Sequence, residues 1–230
     1  MKTIGLLGGM SWESSVLYEQ IINEEVRRRM GGVHSAEILL RSYDFARIEA
    51  LQAAGDWGGA GRVLAADARR LQDAGAGLIL LCTNTMHRVA GTIEAALDVP
   101  FLHIADATAA AVAAAGVSRV ALLGTRYTME QDFYRGRLER SGLEVLVPDE
   151  PDRATVHEVI YDELVQGRIV QGSRQSFVAI VERLLERGAA GVIAGCTEIE
   201  LLIGPDDVAC PFFPTTRIHA LAAVEAALED

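Results

Sequence analysis

The feature that most constrains this chain is a repeat. Ile4-Gly5-Leu6-Leu7-Gly8 is echoed by Val120-Ala121-Leu122-Leu123-Gly124, and Leu80-Leu81-Cys82-Thr83 by Ala194-Gly195-Cys196-Thr197. The interval from Gly8 to Cys82 is 74 positions, and that from Gly124 to Cys196 is 72. An early apolar run ending in glycine and a late one ending in Cys-Thr, stated twice at nearly equal spacing, read as a duplicated unit.

Short apolar runs alternate with longer helical patterns. The runs predict strands over 3–8, 36–43, 77–82, 101–104, 119–124, 143–147 and 191–195, and a last short strand flanked by Pro211 and Pro214. Between them the spacing predicts helices over 11–30, 45–54, 60–74, 106–115, 128–140, 153–166 and 173–187, a short helix opening near Thr83, and a terminal helix capped by Thr215. Strands separated by helices specify parallel sheets covered by helices. The expected fold is therefore α/β, with two similar Rossmann-like domains of mainly parallel sheet related by a pseudo-twofold axis. The first domain spans 1–115 and carries Cys82; the second spans 116–230 and carries Cys196, its C-terminal helix able to pack across onto the first.

Composition narrows the function. Half of the 230 residues are hydrophobic and 23% are charged, which is enough apolar surface to exclude disorder as the main state. The formal charge of −11 argues against nucleic acid and anionic membrane as partners, since both are met by basic patches. The longest apolar stretches, such as 78–82 and 107–117, fall short of the about 20 residues of a spanning helix, and Glu13 follows too soon for an export signal. The expected location is the cytoplasm, where Cys82, Cys196 and Cys210 remain thiols. His34, His87, His103, His157 and His219 show no metal-ligand spacing, so no metal is expected. Gly8-Gly9-Met10-Ser11 has neither the Gly-x-Gly-x-x-Gly pattern of dinucleotide sites nor the Gly-Lys-Ser/Thr of a phosphate loop.

In open parallel sheets, ligands bind beyond the carboxyl ends of the strands. Gly8, Cys82, Gly124 and Cys196 all sit at such ends. With the two halves facing each other, Cys82 and Cys196 would meet one cleft from opposite sides. Two thiols flanking one carbon are equipped for racemisation: a thiolate removes the α-proton and a thiol delivers a proton to the opposite face. A free thiol has a pKa of about 8.5, which a helix N-terminus can bring toward neutrality. A single cysteine is more often a small buried apolar residue; two at matched repeat positions favour chemistry. Cys82-Thr83-Asn84-Thr85 and Cys196-Thr197-Glu198 add hydroxyls, an amide and N–H groups suited to a carboxylate, or to plain helix capping. Cys210, beside Pro211 and without a following Thr, reads as structural. His87 reads as packing or surface, and Tyr127, Phe133 and Tyr134 as core.

The segments 6–14 (Leu-Leu-Gly-Gly-Met-Ser-Trp-Glu-Ser), 82–87 (Cys-Thr-Asn-Thr-Met-His) and 195–199 (Gly-Cys-Thr-Glu-Ile) together resemble the aspartate/glutamate racemase family, and within it the bacterial broad-specificity amino-acid racemases. The resemblance spans essentially the whole chain. It implies two-base racemisation of a small-molecule amino acid without cofactor, neither pyridoxal phosphate nor metal, by a homodimer. It makes Cys82 and Cys196 the acid/base pair, with Thr83 a rival for one side. Thr83, Asn84, Thr85 and Thr197 would hold the substrate carboxylate and amine together with Glu198, and Met10 and Gln52 would line the pocket. Where aspartate-specific members carry a basic residue this chain has Gln166, leaving Arg47 or Arg168 to compensate, so homoserine stands beside aspartate as substrate. Two other readings of the residues stay open: an isomerase or hydrolase using one cysteine as nucleophile on a small carboxylate, and a non-catalytic binding protein on the same scaffold.

Overall fold

The computed structural model describes residues 1–229. The chain forms two compact units: Met1–Ile104 together with the stretch from Thr216 onward, and Ala105–Thr215. The sequence reading divides the chain at 115 instead.

The first unit runs β1 (Ile4–Gly8), α1 (Trp12–Met30), β2 (Ile38–Ser42), α2 (Phe45–Ala53), α3 (Trp57–Asp73), β3 (Leu78–Leu81), a 3-10 turn (Thr85–Val89), α4 (Ala90–Glu94) and β4 (Phe101–Leu102). Helix α5 (Ile104–Ala114) opens the second unit. That unit continues with β5 (Arg119–Gly124), α6 (Arg126–Glu130), α7 (Arg135–Arg140), β6 (Glu144–Leu146), α8 (Glu150–Asp162), α9 (Gln171–Glu186), β7 (Val192–Gly195), α10 (Ile199–Leu202) and β8 (Phe212–Pro214). The last helix, α11 (Thr215–Leu228), belongs to the first unit beyond its opening residue. Each unit contains one fully parallel four-stranded sheet, in the orders β2-β1-β3-β4 and β6-β5-β7-β8. The expected α/β class and parallel sheets are what the chain adopts. Among the described residues, no helix is long and apolar enough to cross a membrane.

Strand alternation decides what each sheet face buries. In the first unit, Leu7, Ile79 and Leu81 pack with Leu64 and Ala68 of α3. On the other face Ile4, Leu6, Leu78, Leu80 and Cys82 pack with Tyr18, Ile22 and Val26 of α1 and with Ala220, Ala223, Val224 and Ala227 of α11. In the second unit, Ala121, Leu123, Val192, Ala194 and Cys196 pack with Val156 and Ile160 of α8 and Phe177, Ile180 and Leu184 of α9.

The two sheets differ in register. Leu7 pairs with Leu81, which sets Gly8 level with Cys82, whereas Gly124 pairs with Gly195, the residue before Cys196. A one-residue slip exchanges sheet faces. Cys82 accordingly lies in the layer of the β1–β2 connection, while Cys196 lies in the layer of the β6–β7 connection. The Cys-Thr motifs match along the chain but not in packing.

Three helix boundaries depart from expectation. Helix α3 starts before residue 60 because the Asp56 carboxylate accepts the Gly59 N–H at 2.7 Å, capping a glycine-rich turn. The expected helix over 128–140 is broken into α6 and α7, where Gln131 is extended (φ −100°, ψ 147°) and Tyr134 turns into the core with no exposure. The expected helix over 153–166 starts earlier, at Glu150 with Pro151 in its first turn, and ends as a 3-10 turn closed by Gly167 at φ +72°.

The turn after β1 is held by glycine geometry. Gly9 has φ +81°, and a Cβ there would lie 2.3 Å from the Tyr43 nitrogen and 2.4 Å from its carbonyl oxygen. Gly75 also has a positive φ, +106°, but a Cβ there would meet nothing within 4 Å. Gly9→Ala is expected to cost roughly 2–4 kcal/mol and Gly75→Ala about 1–2 kcal/mol. Urea unfolding of the two variants checks the order; equal losses would mean the Tyr43 backbone yields without cost.

Candidate active site

In each unit a Cys-Thr loop follows one of the two inner strands of the sheet. In the first, the Cys82 N–H donates to the Leu7 carbonyl at 2.9 Å, extending the β1–β3 ladder to the cysteine itself. The Thr83 N–H turns back to the Leu81 carbonyl at 2.9 Å, and the His87 N–H donates to the Asn84 carbonyl at 3.1 Å, opening the 3-10 turn. Cys82, Thr83, Asn84 and Thr85 are all buried, as are Met10 after β1 and Gln52 near the end of α2. The Gln52 Nε2 donates to the Met86 sulfur at 3.0 Å, tying α2 to the turn that follows Cys82.

Beneath this loop sits a group of buried histidines. His87 Nδ1 lies 2.7 Å from the Thr83 carbonyl, which can only accept, so Nδ1 carries the proton; Nε2 then accepts the Ile104 N–H at 3.2 Å. His87 thus fixes the backbone of the residue after Cys82. The same logic places the His219 proton on Nε2, 2.9 Å from the Leu102 carbonyl, with Nδ1 accepting the Tyr18 hydroxyl at 2.7 Å. The rings of His87 and His103 stand 4.4 Å apart, and those of His87 and His219 6.0 Å. The positioning role of His87 escapes the sequence reading, although Thr83 and His87 four residues apart at a helical start were a signal for it. Among the described residues, no group of three or more His, Cys, Asp or Glu side chains is arranged to hold a metal ion.

In the second unit, one carboxylate oxygen of Glu198 accepts from both the Cys196 thiol and the Thr197 hydroxyl, each at 2.8 Å. All three residues are buried. The Ile199 N–H donates to the Cys196 carbonyl at 3.1 Å, so the loop passes directly into α10.

Thiol acidity runs against the sequence expectation. Burial pushes the Cys82 thiol far above its usual value. Burial does the same to Cys196, and the adjacent Glu198 carboxylate adds to it by disfavouring a second negative charge. Helix N-termini do not offset this: the turn after Cys82 is 3-10 and α10 has only four residues. Both thiols rest protonated. Cys210 is half-buried, and all three cysteines are free. Gln166 is exposed on the 3-10 turn after α8, its Nε2 donating to the Tyr161 carbonyl at 3.3 Å. Arg168 is exposed and hydrogen-bonded to the Asp162 carbonyl. Arg47 lines a cavity of the first unit that includes neither Gln52 nor Cys82.

Two like parallel α/β units, each with a Cys-Thr loop behind an inner strand, make up the frame of the candidate site. Residues 7–223 match the family model for Asp/Glu/Hydantoin racemases, and the chain belongs to that family. It is similar over the whole of both chains to a protein from Yersinia pestis provisionally described as an Asp/Glu racemase, with 52% identity and a TM-score of 0.94. It is similar over the same full extent to an aspartate racemase homologue from Pyrococcus horikoshii OT3, with 34% identity and a TM-score of 0.87. An aspartate racemase from Picrophilus torridus shares the fold at 20% identity and a TM-score of 0.77, covering 99% of this chain and 94% of its own.

Burial lowers the His219 imidazole to about 4, against an ordinary 6.5. The unfolded chain therefore takes up this proton first as pH falls. The stability His219 contributes is fully present above pH 6.5 and is lost as pH falls toward 4, on the order of 3 kcal/mol in all. Unfolding free energies between pH 7.5 and 5 should fall more steeply for the wild type than for His219→Gln; parallel slopes would show that the ring titrates alike folded and unfolded.

Proposed function

We propose that this member of the family is an amino-acid racemase that works without metal or pyridoxal phosphate, using Cys82 and Cys196 as its two acid/base groups. The observation that carries the reading is the pair of buried Cys-Thr loops, one at the carboxyl end of an inner strand in each unit. Glu198 gives the resting Cys196 thiol a proton acceptor in hydrogen-bond contact. Transfer of that proton to Glu198 leaves a thiolate, which removes the substrate α-proton. The Cys82 thiol then donates its proton to the opposite face of the carbanion. In the reverse direction the two cysteines exchange roles. Thr83, Asn84, Thr85 and Thr197 hold the α-carboxylate and amine that every amino acid carries, and Met10 and Gln52 bound the side-chain end. The enzyme is proposed to act as a homodimer in the cytoplasm.

The test is incubation with a panel of L-amino acids in D2O, read by chiral chromatography and mass spectrometry. The expected result is inversion with α-deuteration. Cys82→Ala and Cys196→Ala should each lower turnover about 10²–10⁴-fold with the fold intact. If Cys82→Ala kept near-normal turnover in both directions, the role would pass to Thr83.

Glu198→Gln separates the two effects of that carboxylate. Without its charge the Cys196 thiol should become more acidic, seen as a lower midpoint in the pH dependence of Cys196 alkylation followed by peptide mass spectrometry. Racemisation should nevertheless fall, because the proton acceptor is gone. A variant as active as wild type would remove Glu198 from the mechanism.

With glutamine rather than a cation at 166, an uncharged polar substrate such as homoserine is proposed to outperform aspartate, because a desolvated carboxylate without a partner is costly. Gln166→Lys should raise kcat/KM for aspartate relative to homoserine; a strong aspartate preference in the wild type, unchanged in the variant, would assign side-chain reading to another residue.

A further inference from the structure

We infer that the first unit carries a second ligand site, separate from the Cys-Thr loops, that binds a small organic anion bearing phosphoryl or multiple carboxylate groups. The inference does not rest on the proposed racemase mechanism. It rests on a cavity of about 720 Å³ lined by four arginines, Arg41, Arg47, Arg62 and Arg70, and by a single carboxylate, Asp67. The size falls within the range of small-molecule sites, about 300–1,000 Å³. A concentration of four guanidiniums around one hollow is unexpected on a chain whose formal charge is −11.

The cavity is assembled by three elements. Arg41 lies near the end of β2, an edge strand, and Tyr43 just beyond it, two residues on. Arg62 and Arg70 lie two turns apart on α3, flanking the Asp67 side, and Arg47 rises from the first turn of α2. Two of the four arginines are fixed in advance. Asp67, almost wholly buried, accepts from Arg41 Nε at 3.0 Å with one oxygen and from Arg70 Nη1 at 2.5 Å with the other. Burial alone would raise the Asp67 pKa, but the Tyr43 phenol and both guanidiniums outweigh it and hold the group ionised. Arg41 is further held by donation to the Ser42 carbonyl at 2.7 Å and by the Tyr43 ring, 4.5 Å beneath its guanidinium carbon. A single charge therefore orients two cations without neutralising both.

The other two arginines are uncommitted. Arg47 and Arg62 are exposed, and neither guanidinium makes an ion pair or hydrogen bond among the described residues. Elsewhere on this surface, arginines such as Arg69, Arg137 and Arg183 pair with acidic neighbours. Two uncommitted guanidinium forks lining the same hollow as two preset ones suit an anion with several acidic oxygens, each fork able to hold two. Ile48, Leu51 and Val63 add apolar lining, which free phosphate cannot use and the body of an organic anion can. Preset cations lower the ordering cost of binding.

The test is calorimetric titration of the full chain with inorganic pyrophosphate, phenyl phosphate and citrate, each at an ionic strength fixed with sodium chloride, with Tm followed in parallel. Saturable one-to-one binding of at least one of them, raising Tm and weakening with added salt, is the expected result. A stronger response to pyrophosphate and phenyl phosphate assigns a phosphoryl ligand; a stronger response to citrate assigns a polycarboxylate. Arg62→Ala should weaken binding about ten- to a hundredfold, and Arg62→Lys should recover part of that, since charge is kept and the fork is lost. Arg62 is exposed and unpaired, so its variants should keep the wild-type circular dichroism. Absence of saturable binding for all three anions, or an affinity indifferent to Arg62→Ala, overturns the assignment.

Discussion

Parallel pairing of β3 on β1 and of β7 on β5 is the constraint on which everything else in this molecule depends. Parallel ladders bury both faces of a sheet and therefore require near-continuous apolar strands, which Leu78–Leu81 and Val192–Gly195 supply with every residue buried. Where the ladder stops, the backbone must leave the sheet, and in both units it does so at or immediately before a cysteine. The Cys82 amide still belongs to the ladder through the Leu7 carbonyl. Position is thereby set by backbone hydrogen bonds, and side chains such as His87 and Glu198 need only refine it.

The two loops solve the same task differently. The first anchors the carbonyl of the residue after its cysteine on a buried, neutral histidine that also receives the Ile104 amide. The second places a carboxylate directly on its cysteine and threonine. One thiol sits among apolar groups of α1 and α11, the other beside an ionisable partner. Two like sheets thus carry cysteines in two unlike electrostatic environments.

Where glycine, proline and apolar runs punctuate the chain, the architecture was legible from the residues: the strands behind Gly8, Cys82, Gly124 and Cys196 all form. What escaped lay in side-chain contacts and in strand pairing. No glycine or proline marks the break at Gln131, which follows from burying Tyr134. Gly58, Gly59 and Gly61 hid the start of α3, which a single Asp56 cap secures. The one-residue difference in register lies in strand pairing, not in motif spacing, and the layer exchange of the two cysteines follows from it. Thiol acidity is not legible in the Cys-Thr motifs, because burial, set only by the folded chain, dominates it. The arginines of the basic cavity are scattered over residues 41–70 on a strand and two helices, so only the folded chain brings them together.

The return of α11 to the first unit has a consequence for synthesis. Ala220, Ala223, Val224 and Ala227 form one wall of the core that holds Ile4, Leu6, Tyr18 and Cys82. The unit that begins first along the chain is therefore the one finished last, while the inserted 105–215 segment has all its strands before α11 emerges from the ribosome. Through that interval the part of this face that α11 covers, beside α1, stands without its partner. It is the surface that a holdase chaperone would meet on the nascent chain, and the one that a product stopped short of residue 220 would present to proteolysis.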